Sequence, residues 1–182
     1  MTVISTNLLW LTLLADILIV LWVADRLLVM GALKAHVWNG WRRFGRHALW
    51  MGLVISLMAT LGSLYYSDIL GYEPCKLCWY QRIFMYPQPF LFVLALWRRE
   101  PTRIWPYSTL LSIVGGAIAL FHYYIQTSTA PLVTLPCSAL GYSASCTQTF
   151  AVELGYITIP MMALTAFVLL VIAGRLAVHE RA

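Results

Sequence analysis

Two of the chain's four cysteines stand three positions apart in "EPCKLCWYQR", residues 73–82, and the other two bound "CSALGYSASC", residues 137–146. Paired sulfurs support three chemistries: metal ligation, a static crosslink, or reversible exchange between thiol and disulfide. Cys75-Lys-Leu-Cys78 falls at the predicted start of a helix, where this spacing sets both side chains over one turn. Unpaired backbone N–H groups at a helix start carry partial positive charge, which favours a thiolate over a thiol. Lys76 adds a further cation. A thiolate there can attack a disulfide or an electrophilic acceptor. Cys137 and Cys146 lie on a short polar loop containing Gly and Ser, suited to a labile disulfide that a partner protein can reach. Zinc fits poorly, because a four-cysteine site is usually built from two close pairs and the second pair here is widely spaced. Two static disulfides stapling a scaffold or transporter are the competing assignment.

Polar residues inside apolar stretches are the next candidates. Arg82 follows Cys78 by four positions, on the same helix face and about one turn, roughly 5 Å, deeper. It either snorkels to the interface or stabilises negative charge on a thiolate and on a bound acceptor. His122 and Gln126 share a face at i, i+4 and could line the same pocket, or make a plain helix–helix contact. Trp79 and Tyr80 suit either a flat ring or the membrane interface. Asp16 and Asp25 are candidates to pair with an arginine, and Pro87, Pro89 and Pro160 are expected to kink their helices.

The elements that must position these groups are membrane helices. Of the 182 residues, 61% are hydrophobic and 10% charged, against about 25% charged in soluble domains. Apolar stretches at 48–66, 79–97, 107–126 and 157–174 each approach a bilayer-spanning length, and a fifth at 8–24 adds an N-terminal helix. That first stretch lacks a preceding cation and a small-residue cleavage site, so it does not read as a signal peptide. The expected fold is an all-α integral membrane protein, a four-helix transmembrane bundle with one extra N-terminal helix. Residues 1–47 form that helix and a basic interfacial linker, 48–175 the core, and 176–182 a tail.

The formal charge of +5 reads as a topology signal rather than a nucleic-acid surface. Basic residues gather in 31–47, 98–106 and the tail, which the positive-inside rule places in the cytoplasm. The loops at 67–78 and 127–156 then share the opposite face, and all four cysteines fall in them. Disulfides persist on that oxidising side. Tyr65, Tyr66, Trp79, Tyr123 and Tyr156 at one end, with Trp50, Trp97 and Trp105 at the other, suit interfacial belts.

"EPCKLCWYQR", then "FHYYIQ", then the spaced loop pair, then "GYITIPMMALTAF" resembles the DsbB/BdbC family of quinone-coupled thiol oxidases over roughly residues 48–175. Vitamin K epoxide reductases resemble the same fold, but their loop cysteines precede the C-x-x-C. The resemblance implies a relay in a bacterial plasma membrane. A reduced thioredoxin-fold partner, similar to DsbA, would attack a Cys137–Cys146 disulfide through Cys137. Cys146 would exchange with Cys75, and Cys78 would engage a quinone, ubiquinone or menaquinone, drawn from the membrane pool. Arg82 matches the family's quinone-activating arginine; His122 matches a pocket histidine more loosely. With eight residues between its cysteines, the loop pair leaves no room for a long interfacial helix, which resembles the BdbC branch, and the N-terminal segment lies outside the common core.

Overall fold

The structure, a computed structural model, describes residues 3–28, 47–98, 103–127 and 156–179. Cys137 and Cys146, the basic stretch at 31–46 and the end of the tail lie outside these residues, and Asp25 lies outside the described side chains. Among the described residues, six α-helices follow one another: α1 (Val3–Leu28), α2 (Ala48–Leu64), α3 (Lys76–Met85), α4 (Pro87–Arg98), α5 (Trp105–Thr127) and α6 (Ile159–His179). Four segments among the described residues are long and apolar enough to cross a bilayer: Ser5–Ala24, Ala48–Ile69, Trp105–Thr127 and Ile159–Ala177, with mean hydropathies of 2.1, 1.7, 1.5 and 2.1. The remaining crossing is made jointly by α3 and α4, of 10 and 12 residues. The protein is an all-α integral membrane bundle with an additional N-terminal spanning helix.

The break between α3 and α4 falls at Tyr86 and has a local cause. Pro87 has no N–H to donate back along the helix, so it ends one segment and opens the next. Pro89 stands in the first turn of α4, where N–H groups lack intrahelical acceptors anyway. Pro160 does not kink its helix as the sequence suggested. It is the second residue of α6, a first-turn position that proline tolerates. A further irregularity closes α2, which continues as a π-helical turn, Tyr65–Ile69. Gly71, at φ 69°, then turns the chain toward the cysteine pair.

Two close approaches set the core. A Cβ added at Gly52 of α2 would lie 2.5 Å from the ring of Phe92 on α4. One added at Gly115 of α5 would lie 2.3 Å from the ring of Phe167 on α6. Both rings are fully buried, so neither can swing aside. Between α4 and α5, the Gln88 amide is buried but satisfied. Its Nε2 donates to the Phe84 carbonyl at 3.1 Å, and its Oε1 accepts from Ser108 Oγ at 2.7 Å. Satisfying polar groups internally is obligatory at membrane depth. The outward faces, including Phe90, Trp97, Leu110 and Ile113, are exposed apolar surface of the kind lipid covers. Gly115→Ala is expected to destabilise the protein by about 1–3 kcal/mol through overpacking. Thermal unfolding in detergent checks this, and an unchanged midpoint would contradict the close α5–α6 approach.

Candidate redox site

Pro74 biases the chain into an extended entry, and Cys75 follows at the N-cap of α3 with φ −69° and ψ 171°. The helix starts at once: the Trp79 N–H donates to the Cys75 carbonyl at 3.1 Å. One turn on, Cys78 brings its sulfur to 3.4 Å from that of Cys75, and the pair stands here as a dithiol. Cys75 is 4% exposed.

His122 of α5 reaches this pair from across the bundle, with Nε2 3.6 Å from Cys75 Sγ. Its other ring nitrogen, Nδ1, lies 3.0 Å from Nε2 of Gln81. An amide nitrogen can only donate, so Nδ1 accepts and the ring hydrogen sits on Nε2, aimed at the sulfur. The imidazole is buried, so these contacts replace water entirely. Gln81 was not singled out in the sequence; its signal was a second polar residue beside Arg82 at the head of an apolar run.

The electrostatics divide the two thiols. Donation from Cys78 holds the Cys75 thiol well below the ordinary range; burial opposes this, and His122 reinforces it through the hydrogen on Nε2. Cys78 is pushed up, chiefly because it is the donor to Cys75 and then because it is buried. Physically, the pair shares one proton and the negative charge rests on the sulfur that His122 faces. Arg82 acts weakly in the opposite sense on Cys78, favouring its charged form.

Arg82 is anchored rather than trailing toward the interface. Its Nε donates to Ser63 Oγ at 3.0 Å and its Nη2 to the Ser63 carbonyl at 3.1 Å. Ser63 stands just before the π-helical turn, where the backbone ladder changes register. The guanidinium also lies over the Trp79 ring, 5.2 Å from its centroid. Trp79 itself is 54% exposed and sits behind Arg82, outside the cavity described next.

Cys75, Cys78, Arg82, His122 and Gln126 all border one cavity of about 740 Å³. Its remaining wall is almost wholly apolar and runs along α1, α2 and α6 as far as Trp50 and Leu169. The buried Thr158 hydroxyl on this wall has no hydrogen-bond partner among the described residues. A polar head of cysteines, arginine and histidine with a long greasy extension fits a flat polar ring bearing a hydrocarbon tail, as in a membrane quinone. The Cys75, Cys78 and His122 donor atoms also lie within 4.8 Å of one another. A closed zinc site takes four such ligands, and among the described residues this group has three.

Fold and dithiol together define an integral membrane protein of the disulfide-forming kind. Comparison with known proteins agrees. The family model described as "Disulfide bond formation protein DsbB" matches residues 45–177. A probable disulfide formation protein C of Halalkalibacterium halodurans is 40% identical over 126 residues, covering 69% of this chain and 89% of that protein. Disulfide bond formation protein C of Bacillus subtilis is 38% identical, covering 68% and 87%. A probable disulfide formation protein of Metapseudomonas resinovorans is 33% identical, covering 65% and 81%. No solved structure matches the chain. The chain belongs to the DsbB family of disulfide bond formation proteins.

The lowered Cys75 value favours the reduced pair above the ordinary thiol range, and this contribution is lost as pH falls through the lowered value. Thiolate ultraviolet absorbance of the reduced protein is therefore expected to persist well below pH ~8.5, the free-cysteine value. Gln81→Leu should move the loss of absorbance up by about one pH unit by releasing the His122 ring. A wild-type transition at the free-cysteine value would contradict the arrangement.

Proposed function

We propose that the protein is a thiol:quinone oxidoreductase that reoxidises a DsbA-like thioredoxin-fold dithiol protein and so supports disulfide formation outside the cytoplasm. The observation that carries this reading is the Cys75–Cys78 dithiol opening onto an apolar cavity beside Arg82 and His122. A pair meant only to staple the fold gains nothing from an adjoining cavity and a fixed cation.

The sequence supplies the other half of the relay. A partner thiolate attacks Cys137, breaking a Cys137–Cys146 disulfide and forming a mixed one. The partner's second thiol resolves it, leaving the partner oxidised and the loop pair reduced. Cys146 then attacks Cys75 of an oxidised Cys75–Cys78 disulfide and releases Cys78 as the thiolate; Cys137 attacks Cys146 to re-form the loop disulfide and releases Cys75, so the two electrons pass to the C-x-x-C pair. A bound quinone supplies the sink: it takes two electrons and two protons and leaves as quinol.

The chain's own residues make that last transfer feasible. While Cys75 and Cys78 are both reduced and share one proton, Cys75 keeps the negative charge. Once Cys75 is bound in a disulfide it no longer accepts a hydrogen bond from Cys78, and the force holding the proton on Cys78 is gone. Arg82, one turn further along α3, then favours a Cys78 thiolate facing the cavity. The same guanidinium, pinned by Ser63, is fixed where negative charge develops on an acceptor oxygen. His122 carries its Nε2 hydrogen toward the sulfurs, in place to hold or return a proton.

The face assignment rests on the basic residues at 31–47, 98–106 and the tail, which puts the cysteine end outside a bacterial plasma membrane. Which of ubiquinone and menaquinone serves depends on the membrane pool. Purified protein, a reduced thioredoxin-fold dithiol and quinone, followed by quinone absorbance in a stopped-flow instrument, test the reading. Cys137→Ser should abolish partner-driven reduction. Arg82→Ala should slow it about 100-fold or more, with Arg82→Lys partly restoring it. Normal turnover without Cys137 would overturn the relay, and an unslowed Arg82→Ala would overturn the arginine's role.

A further inference from the structure

The family match begins at residue 45, so α1 is an addition to the shared core. Yet α1 is part of the cavity. Leu8, Leu11, Thr12, Leu14, Ala15 and Leu18 border it, and at about 3.6 residues per turn all six fall on one side of the helix. That stripe covers about 15 Å of helix. The residues turned elsewhere, Trp10, Ile17, Val20 and Leu21, are exposed and apolar, as lipid-facing positions are.

A specific contact docks this helix at membrane depth. Thr165 of α6 donates its hydroxyl to Asp16 Oδ1 at 2.7 Å, rather than an arginine pairing with Asp16 as the sequence suggested. Asp16 Oδ2 is buried with no hydrogen-bond partner among the described residues. Nearer the cysteine end, Leu8 packs toward Gly62 of α2, its Cδ2 3.6 Å from where a Cβ would stand. Bridging α2 and α6, α1 closes one side of the space that reaches from Cys78 to Trp50. Along α2, Ser63 to Trp50 amounts to roughly 20 Å of rise, much of the ~30 Å hydrocarbon thickness.

We propose that α1 is the fifth wall of the acceptor site, holding the hydrocarbon tail of the quinone and so setting affinity by tail length. This rests on the thiol:quinone reading above. The occupant follows from the wall itself. Its polar groups cluster at the cysteine end, while α1 contributes leucines and an alanine with one hydroxyl, Thr12, already donated to the Leu8 carbonyl at 2.8 Å. Such a surface grips a tail and contributes nothing to the exchange of electrons among cysteines.

The test uses the full chain in detergent, with one quinone bearing a long tail and one bearing a short tail. Two readouts are taken: quinone retained per protein after loading and washing, and steady-state KM and kcat. Ala15→Trp narrows the cavity from the α1 side, and Leu11→Trp does so from a more exposed position that accommodates the larger ring. Both are expected to retain several-fold less long-tailed quinone and to raise its KM about 5- to 10-fold, equivalent to about 1–1.4 kcal/mol. Short-tailed quinone should keep its KM, and kcat should stay within about twofold, as expected for lost uniform binding. Leu21→Trp, on the lipid-facing side, should change nothing. Equal losses for both quinones, or unchanged retention in both tryptophan variants, would overturn the proposal. If the wild type retains the long-tailed quinone in a tail-dependent manner but does not reduce it, the relay fails and the wall stands. If the wild type retains none, the wall fails too.

Discussion

The cysteine end of the bundle is organised by one constraint: a buried thiol pair must place a negative charge where water cannot reach it. Cys75 meets this with three groups drawn from different parts of the chain. The N-terminus of α3 supplies backbone dipoles, Cys78 supplies a hydrogen bond, and His122 approaches from α5 with its Nε2 hydrogen. Each requires the others. His122 points the right way only because Gln81 engages Nδ1, and Gln81 is in reach only because α3 begins at Cys75. Burial works against the charge, so losing any one donor leaves that penalty less fully opposed.

The second arrangement keeps a cation at membrane depth without giving it freedom. A guanidinium in an apolar span normally finds the interface. Here Ser63 holds it with side chain and carbonyl together, and the π-helical turn beyond Ser63 disturbs the ladder that would otherwise occupy that backbone. The same turn, with Gly71, delivers the chain to Pro74 and the N-cap at Cys75. Strain-tolerant backbone and fixed charge thus belong to one stretch, 63–82.

Much of this was legible in residue types. Apolar length marked the crossings, and the C-x-x-C at a helix start marked the thiolate. The i, i+4 spacing of His122 and Gln126 marked two groups that do border one cavity with Cys78 and Arg82. What could not be read were pairings between distant elements. Nothing local to Gln81 names His122 as its partner, nor does Thr165 name Asp16. Helical periodicity also hides changes of register, so the π turn at Tyr65–Ile69 was invisible. Pro160 misled for a related reason: its effect depends on whether it falls in a first turn, and helix starts are set by capping geometry as much as by composition.

The central claim is that the C-x-x-C dithiol hands its electrons directly into the adjoining cavity. Mixing fully reduced protein with one equivalent of quinone, without any partner protein and without oxygen, tests it most directly. Mass spectrometry after acid quenching would map which thiols are consumed as quinol forms. The account predicts that the first disulfide to form includes Cys78. Quinol formation with Cys78 still a free thiol, or no quinol at all from a reduced and folded protein, would contradict it.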